Sequence, residues 1–385
     1  MPMTADHLQS QPDSAETALR AAMQATSESP ATVVTRGQLL GAAQRWLSTM
    51  LILSGLTCLV LIVCLQYGVQ RIGLLNILSI LWHAIHGTLT QSESADPTSI
   101  ILLQVRLPRL LLGFMVGASL AAVGGALQAL VRNPLADPYV LGISSGAALG
   151  AAVAMSVGVG KTVLASSALP FFAFIGGLLS IIIVYRIAVS HGHLAVHTLL
   201  LAGVILSAIF SALIMFATSI TDPTSFFRIM FWLMGTLTAP EYPALAMLAL
   251  YFAIGTFLLF RQAQSLNLLA LGEESALSLG VNVERVKKVL FFTAALLTGA
   301  VVSMSGIIGF VGMVIPHVVR MTLGADHRTL LPASALVGGT LLMAADTVAR
   351  TVLAPTEIPV GVITALAGGP FFIYLLMSRK NNLET

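Results

Sequence analysis

The chain has 385 residues, of which 57% are hydrophobic and 9% are charged, against about 25% charged residues in an ordinary soluble domain. Its 19 basic and 16 acidic residues leave a net charge of +3, and no basic stripe marks a nucleic-acid surface. Two cysteines, Cys58 and Cys64, share one apolar run, which excludes a disulfide framework and, with the apolar content, indicates one polytopic membrane domain.

The first 45 residues are predicted to form a disordered cytosolic tail. This segment is polar and rich in Ser, Thr, Ala and Gln, a composition that cannot bury enough apolar surface to offset the entropy of folding. A signal peptide reaches its apolar core within about 30 residues, whereas here the first apolar run begins near Trp46. We therefore expect residues 1–45 to stay in the cytosol and residues 46–380 to form the membrane domain.

Ten apolar runs follow the tail, most of them near the length of about 20 residues that an α-helix needs to cross a bilayer. Two shorter apolar segments, 72–86 and 226–235, are predicted to be helices that do not cross. The predicted fold class is an all-α polytopic membrane protein with about ten transmembrane helices. The predicted spans are residues 46–66, 107–130, 140–157, 167–187, 197–218, 242–260, 289–305, 307–322, 330–350 and 358–377.

The distribution of Lys and Arg predicts the orientation of these spans. With the N-terminus in the cytosol, most Lys and Arg residues fall on the cytosolic side, as the positive-inside rule requires. The C-terminus then lies in the cytosol as well. No ionisable residue falls at the middle of a predicted span, which disfavours a carrier driven by protons or sodium. Such a secondary carrier stays open as an alternative, because carbonyls and hydroxyls can also hold sodium.

A pattern of small residues repeats within the chain. The residues Gly117, Ala118, Gly124, Pro134, Leu141 and Gly142 recur at one constant offset as Gly299, Ala300, Gly306, Pro316, Leu323 and Gly324. Five predicted spans separate the copies, and an odd number turns the second copy upside down. This predicts an inverted internal repeat, which is typical of transporters whose halves rock about a central pathway. A chance alignment is the alternative, because the chain holds 33 glycines.

No catalytic constellation is recognisable in the chain. Residues 158–162 (GVGKT) resemble the end of a phosphate-binding loop, but Met155 occupies the position at which that loop requires glycine. His193 and His197 lie near His191 without a local acidic or cysteine partner, so a solvated loop is favoured over a metal site. We therefore expect no enzyme activity, no metal and no permanent cofactor, and ATP hydrolysis, if used, in a separate chain.

The loop at 271–280 is predicted to be a short cytosolic helix that offers a surface to a soluble partner. It carries acidic residues at the start of the helix, where the helix dipole favours them, and it ends at a glycine. A connector that lies on the membrane is the alternative. The residues assigned to this coupling surface are Leu271, Gly272, Glu273, Glu274, Ala276 and Gly280.

With these elements in place, the chain closely resembles the permease family of ATP-binding-cassette (ABC) importers for vitamin B12, haem and ferric siderophores. The likeness covers about residues 45–380, and only the tail lies outside it. The matching stretches are RLPR (106–109), GA (117–118), NPLADP (133–138), LGISSG (141–146), LAG (201–203), WLMG (232–235), LGEE (271–274), GFVGMVIPH (309–317), DHRTLLP (326–332) and IPVG (358–361).

The resemblance implies a homodimer in the bacterial inner membrane, with two cytosolic ATPase subunits and a periplasmic substrate-binding protein. It implies an inner gate formed by Asn133, Pro134 and Leu135 together with His197 and Thr198. It also implies coupling helices at 266–280. The residues that the resemblance assigns to docking of the binding protein are Arg106, Arg109 and Arg350. For Arg350, a local ion pair with Asp346 four residues earlier is an alternative that can coexist.

The substrate is expected to be haem. The stretches 324–328, 345–350 and 368–372 look most like the haem branch of the family. An apolar pathway with 15 Met and 17 Phe in the chain suits an amphipathic porphyrin, but it would suit other large ligands equally. Ferric siderophore and cobalamin are the alternative substrates. A receptor or a structural membrane protein is the alternative to a transport function.

Overall fold

The computed structural model describes residues 36–88, 96–158, 165–190 and 192–381. Within these residues the chain forms fourteen helices and one small two-stranded sheet. The helices are α1 Arg36–Gln66, α2 Leu74–Ile85, α3 Pro97–Val131, α4 Ile143–Ser156, α5 Ala165–Ala188, α6 Val196–Ser219, α7 Pro223–Leu233, α8 Tyr242–Arg261, α9 Ala263–Ala270, α10 Glu273–Ser278, α11 Val283–Ser305, α12 Val311–Leu323, α13 His327–Thr351 and α14 Val360–Asn381.

Two further pieces of structure lie between these helices. A 3₁₀ turn at Pro138–Leu141 precedes α4. Strands β1 Val189–Ser190 and β2 His193–Leu194 pair antiparallel, with Val189 opposite Leu194. They form a short hairpin, called the 189–194 hairpin below, between α5 and α6.

Helix α3 is buried on nearly all sides and therefore lies at the centre of the described helices. In the most apolar 18 residues of α3, 89% are buried, whereas in α1 the share is 6%. Helices α11 and α13 are also mostly buried, and α5, α6 and α8 leave most of their apolar surface open. A helix with an open apolar surface suits a lipid environment, because lipid chains solvate apolar side chains as well as a protein core does.

Seven of the described helices are long and apolar enough to cross a membrane. They correspond to seven of the ten predicted spans. The other three predicted spans appear as shorter apolar helices: α4 and α12 have 14 and 13 residues, and α14 is apolar over Val360–Tyr374. The count of ten crossings therefore stays a prediction. The two helices predicted not to cross are present as α2 and α7.

Several helices begin earlier than the hydropathy pattern indicates. Helix α1 begins at Arg36, inside the predicted tail, whose residues 1–35 lie outside the described part of the chain. Helix α3 begins at Pro97, ten residues before the predicted start, and includes a π-helical turn at Ile101–Arg106. Helix α11 begins at Val283 and not at 289. Charged residues occupy these additional turns, which is why a search for apolar runs omits them.

The two copies of the sequence repeat do not match element by element. Gly124 lies inside α3, whereas Gly306 has a φ of +67° and ends α11. Pro134 lies in a loop, whereas Pro316 lies inside α12. The inverted repeat therefore stays a prediction.

Glycines allow α3 to approach its neighbours at backbone distance. A Cβ atom placed on Gly117 would overlap the carbonyl oxygen of Gly338 in α13, and one placed on Gly124 would overlap that of Gly312 in α12. Small residues permit such close helix contacts in membrane bundles. Helices α12 and α13 are thereby held firmly against the central helix.

Candidate functional site

Arg106 and Arg109 mark one end of the bundle, called the arginine end below. Arg106 is buried, and its guanidinium donates to the carbonyl oxygens of Leu65 at 2.7 Å, Gln66 at 3.3 Å and Gln70. The carbonyls of Leu65 and Gln66 lie in the last turn of α1, where backbone acceptors lack partners within the helix, and Gln70 follows that turn. Arg106 therefore caps α1 and fixes it to α3.

A second arginine at this end lies in a buried ion cluster. Arg109 Nη2 lies 2.9 Å from Asp346 Oδ1 in α13, and Arg109 Nη1 lies 2.9 Å from Glu357 Oε2. Arg350 Nε lies 3.1 Å from Asp346 Oδ2, so the predicted local ion pair is confirmed. The Asp346 side chain is 1% exposed, whereas that of Glu357 is 54% exposed. The two arginines thus share one fully buried carboxylate.

This arrangement bears on the predicted docking residues. Arg106, Arg109 and Arg350 all lie at the arginine end, as the sequence leads one to expect, but each is buried and has a partner within the chain. Glu357, which the sequence reading did not single out, is the exposed charge of the cluster. The docking role of the three arginines stays a prediction.

The predicted gate loop follows the other end of α3. Arg132 ends the helix in the left-handed conformation, with a φ of +53°. The side-chain oxygen of Asn133 accepts the backbone N–H of Leu135 at 2.9 Å, the local bond that shapes many turns. Asn133 and Leu135 are exposed and Pro134 is half-buried. Further along, burial raises the pKa of Asp137 to about 6, although its bond from the N–H of Tyr139 lowers it.

His197 and Thr198, the other predicted gate residues, lie exposed in the first turn of α6. The gate loop reaches the same helix about two turns further on. A Cβ atom placed on Gly203 of α6 would overlap the carbonyl oxygen of Val140. The structure therefore brings the loop after α3 and the start of α6 to the same end of the bundle, called the loop end below.

The predicted coupling segment is two helices, α9 and α10, joined at Gly272. Gly272 and Gly280 flank α10 with φ values of +124° and +82°, a backbone conformation that glycine adopts without strain. A Cβ atom on Gly272 would lie 3.9 Å from Arg132 Nη1. The coupling segment therefore adjoins the end of α3 and the start of the gate loop.

Asn267 fastens α9 to the start of α13. Its side-chain oxygen accepts the backbone N–H of His327 at 2.9 Å, and its amide donates to Asp326 Oδ1 at 2.7 Å. Partial burial raises the pKa of Asp326, but the bonds from Asn267 and from the N–H of Arg328 outweigh it, so this pKa lies below its usual value. The sequence reading did not identify this contact, because the partners are about 60 positions apart.

The outer surface of the coupling segment is unusually apolar for a loop between spans. Leu271, Leu277 and Leu279 are exposed by 70%, 58% and 61%. Glu274 is also exposed, and Glu273 is half-buried. Ala276, predicted to belong to the same surface, is fully buried on the inner side of α10. The exposed surface, called the leucine patch below, consists of Leu271, Leu277 and Leu279.

The described residues contain no group of three or more His, Cys, Asp or Glu side chains placed to hold a metal ion. His193 lies 3.7 Å from Glu284, and His191 lies outside the described residues.

Comparison with known proteins gives consistent matches. The model of the FecCD transport family matches residues 49–378. A cobalamin import system permease protein from Halobacterium salinarum is 44% identical over 285 residues, which are 74% of this chain and 75% of that protein. A hemin transport system permease protein from Yersinia pestis is 42% identical over 325 residues, which are 84% of this chain and 94% of that protein.

A solved structure is similar as well. It is described as an inward-facing conformation of a metal-chelate type ABC transporter. The similarity has a TM-score of 0.72 at 31% sequence identity, and it covers 86% of this chain and 99% of the other. The sequence matches and the structural match are therefore all to transport proteins.

Proposed function

The chain belongs to the FecCD transport family and is an ABC importer permease, and we propose that it carries haem across the bacterial inner membrane. In this proposal it works as a homodimer with two ATPase subunits on the cytosolic side and a periplasmic binding protein on the other. ATP is bound and hydrolysed by the partner subunits. The N- and C-termini lie in the cytosol.

The leucine patch is the observation that supports the ATPase partner in this proposal. Leucines outside an apolar span are normally buried, and an exposed apolar group with a polar rim is typical of a protein interface. Leu277 lies on α10, and Leu271 and Leu279 directly follow α9 and α10. Asn267 anchors α9 to α13, and the joint at Gly272 adjoins Arg132 near the gate loop. An ATPase subunit seated on Leu271, Leu277 and Leu279 would push on elements that are firmly connected to the bundle.

The inner gate in this proposal consists of Asn133, Pro134 and Leu135 with His197 and Thr198. Most of these residues are exposed in the single chain and lie at the loop end, so a second copy of the chain could complete a closed gate around the pathway. The apolar face of α6 that leaves Leu201, Ile205 and Ile209 exposed is available to line that pathway or to contact the second copy.

Haem is favoured as the substrate by the likeness of stretches 324–328, 345–350 and 368–372 to the haem branch. Cobalamin and ferric siderophores are the alternative, because the similar proteins are named for cobalamin, hemin and metal chelates. All three ligands are large and need a wide pathway. The choice therefore depends on a transport measurement.

We expect liposomes that contain the chain with its ATPase, supplied with the loaded binding protein, to take up haem when ATP is available to the ATPase subunits. Cobalamin and a ferric siderophore are measured in parallel, each with its own binding protein. Uptake of one of these without haem uptake would change the assigned substrate and leave the assignment as an importer intact. Uptake that is equal without ATP would indicate a secondary carrier.

We further propose that the binding protein docks at the arginine end. Arg106, Arg109 and Arg350 give this end its positive charge, while Glu357 is the exposed negative charge beside Arg109. A carboxylate of the binding protein would compete with Glu357 for the guanidinium, because arginine binds carboxylates in a planar fork.

Changing Glu357→Gln is therefore expected to speed association of the binding protein by about twofold to tenfold at low salt, since charges at an interface rim act mainly on the association rate. The gain should shrink as salt screens the charges. Surface plasmon resonance on the complex in nanodiscs measures both effects. A slower association for Glu357→Gln would place docking on Glu357 itself and contradict the arginine model.

A further inference from the structure

One charged side chain of the membrane domain lies buried between the coupling segment and the gate. Lys287, in the second turn of α11, is only 6% exposed along its side chain. Its Nζ donates to Glu273 Oε2 of α10 at 2.7 Å and lies 3.4 Å from Glu284 Oε1 of its own helix. A buried ammonium requires such partners, because the loss of its hydration is costly.

Glu284 extends this contact to the 189–194 hairpin. Its Oε2 accepts the backbone N–H of Leu194 at 2.9 Å, and its Oε1 lies 3.7 Å from His193 Nδ1. The neighbouring Lys288 donates to the carbonyl oxygen of Gly192 at 3.0 Å. The hairpin is therefore held by the first turns of α11 at three points.

The hairpin leads directly into the gate segment of α6. Leu194 is followed by one linking residue, after which α6 begins at Val196 and carries His197 and Thr198 in its first turn. The hydrogen-bonded chain Glu273–Lys287–Glu284–Leu194 thus spans from the coupling helix to the end of the hairpin, two residues before the gate helix.

We propose that Lys287 and Glu284 are positioning residues that transmit movement of α10 to the 189–194 hairpin and so to the gate end of α6. A displacement of α10 by the ATPase moves Glu273. The Lys287 ammonium must then move with Glu273 or lose this carboxylate as a partner. Movement of Lys287 shifts Glu284 and, through Glu284, the 189–194 hairpin. Because the Lys287 side chain is only 6% exposed and lies 2.7 Å from Glu273, separating these two groups would leave a buried charge with one partner fewer, so the contact resists stretching.

This inference rests on the proposed function, because it assumes that an ATPase acts on α10. Transmission between sites requires evidence of coupling and not only of proximity. The test therefore combines a transport measurement with a structural measurement that does not depend on transport.

The test uses the full complex in liposomes with two variants and a matched control. Lys287→Met removes the charge and keeps an apolar stem. Glu284→Ala releases the hairpin while Lys287 stays paired with Glu273, so this variant retains the buried charge pair. Arg285→Met removes a positive charge from the same turn at an exposed position and serves as the control.

Both variants are expected to lower ATP-driven uptake by about tenfold, within the range of about 5–150-fold typical of coupling between sites, while ATP hydrolysis and co-purification of the ATPase persist. Amide hydrogen exchange in residues 192–195 should rise in both variants and stay at the wild-type level in Arg285→Met. Uptake and exchange equal to those of the control in both variants would overturn the proposal. A wild-type complex without ATP-driven uptake would refute the proposed function instead, and the exchange data would then decide whether the hairpin is held as described.

Discussion

Replacing Asp346 with alanine is expected to destabilise the chain more than any other single change at the arginine end. Arg109 and Arg350 both pair with this carboxylate, which is 1% exposed. Removing one member of a buried ion pair costs about 3–5 kcal/mol, because the remaining charge is left without compensation. Here two guanidinium groups lose their shared partner. The expected result is a large fall in the unfolding midpoint of the detergent-purified chain, measured by scanning fluorimetry.

Glu357→Gln is the matched control for this measurement. Glu357 pairs with the same Arg109 but is half exposed, and an exposed ion pair contributes about 0–1 kcal/mol. Its unfolding midpoint should therefore stay near that of the wild type. Equal destabilisation by both variants would mean that the cluster is solvated and that burial does not determine its energetics.

Leu277→Asp is expected to separate the chain from its ATPase without unfolding it. Leu277 is exposed on α10, so an aspartate there is well hydrated in the single chain. In the complex it would face an apolar groove, and a central interface residue of this kind costs about 2 kcal/mol or more when it is lost, or about 30-fold in affinity. Co-purification with the ATPase should fall, and ATP-driven uptake should be lost.

Ala276→Asp provides the contrast, although it lies only one residue away. Ala276 is fully buried on the inner side of α10, so an aspartate there would bury a charge with no partner assigned to it. This variant should lose folded protein in size-exclusion chromatography, whereas Leu277→Asp should elute like the wild type. If Leu277→Asp binds the ATPase normally, the leucine patch is not the interface, and a lipid-facing role for it would follow.

The sequence reading succeeded where the relevant signal is local. The acidic start and the final glycine of 271–280 predicted a short helix, and α10 lies within that segment, between Gly272 and Gly280. The end of one apolar run at 130 and the start of the next at 140 predicted a loop between them, and the structure has a turn there. Each of these features depends on a few consecutive residues, whose backbone preferences hold in any fold.

The same reading missed features that depend on distant partners. It treated Lys287 as one of several cytosolic charges, whereas the side chain is buried between Glu273 and Glu284. It also did not identify the partners within the chain that Arg106 and Arg109 have in the structure, which are the carbonyl oxygens at the end of α1 and the carboxylate of Asp346. A charged residue lowers the hydropathy of its window whether or not a partner neutralises it, so hydropathy cannot distinguish the two cases.

The sequence by itself determined the membrane class, the approximate positions of the apolar helices and the family, because apolar length and short motifs are properties of consecutive residues. Only the tertiary structure decided which charges are neutralised and which apolar side chains are exposed. Arg109 and Asp346 are 237 positions apart, and Ala276 and Leu277 are adjacent but face opposite ways. Both results follow from how the helices pack, since burial and ion pairing depend on neighbours in space and not on neighbours in the chain.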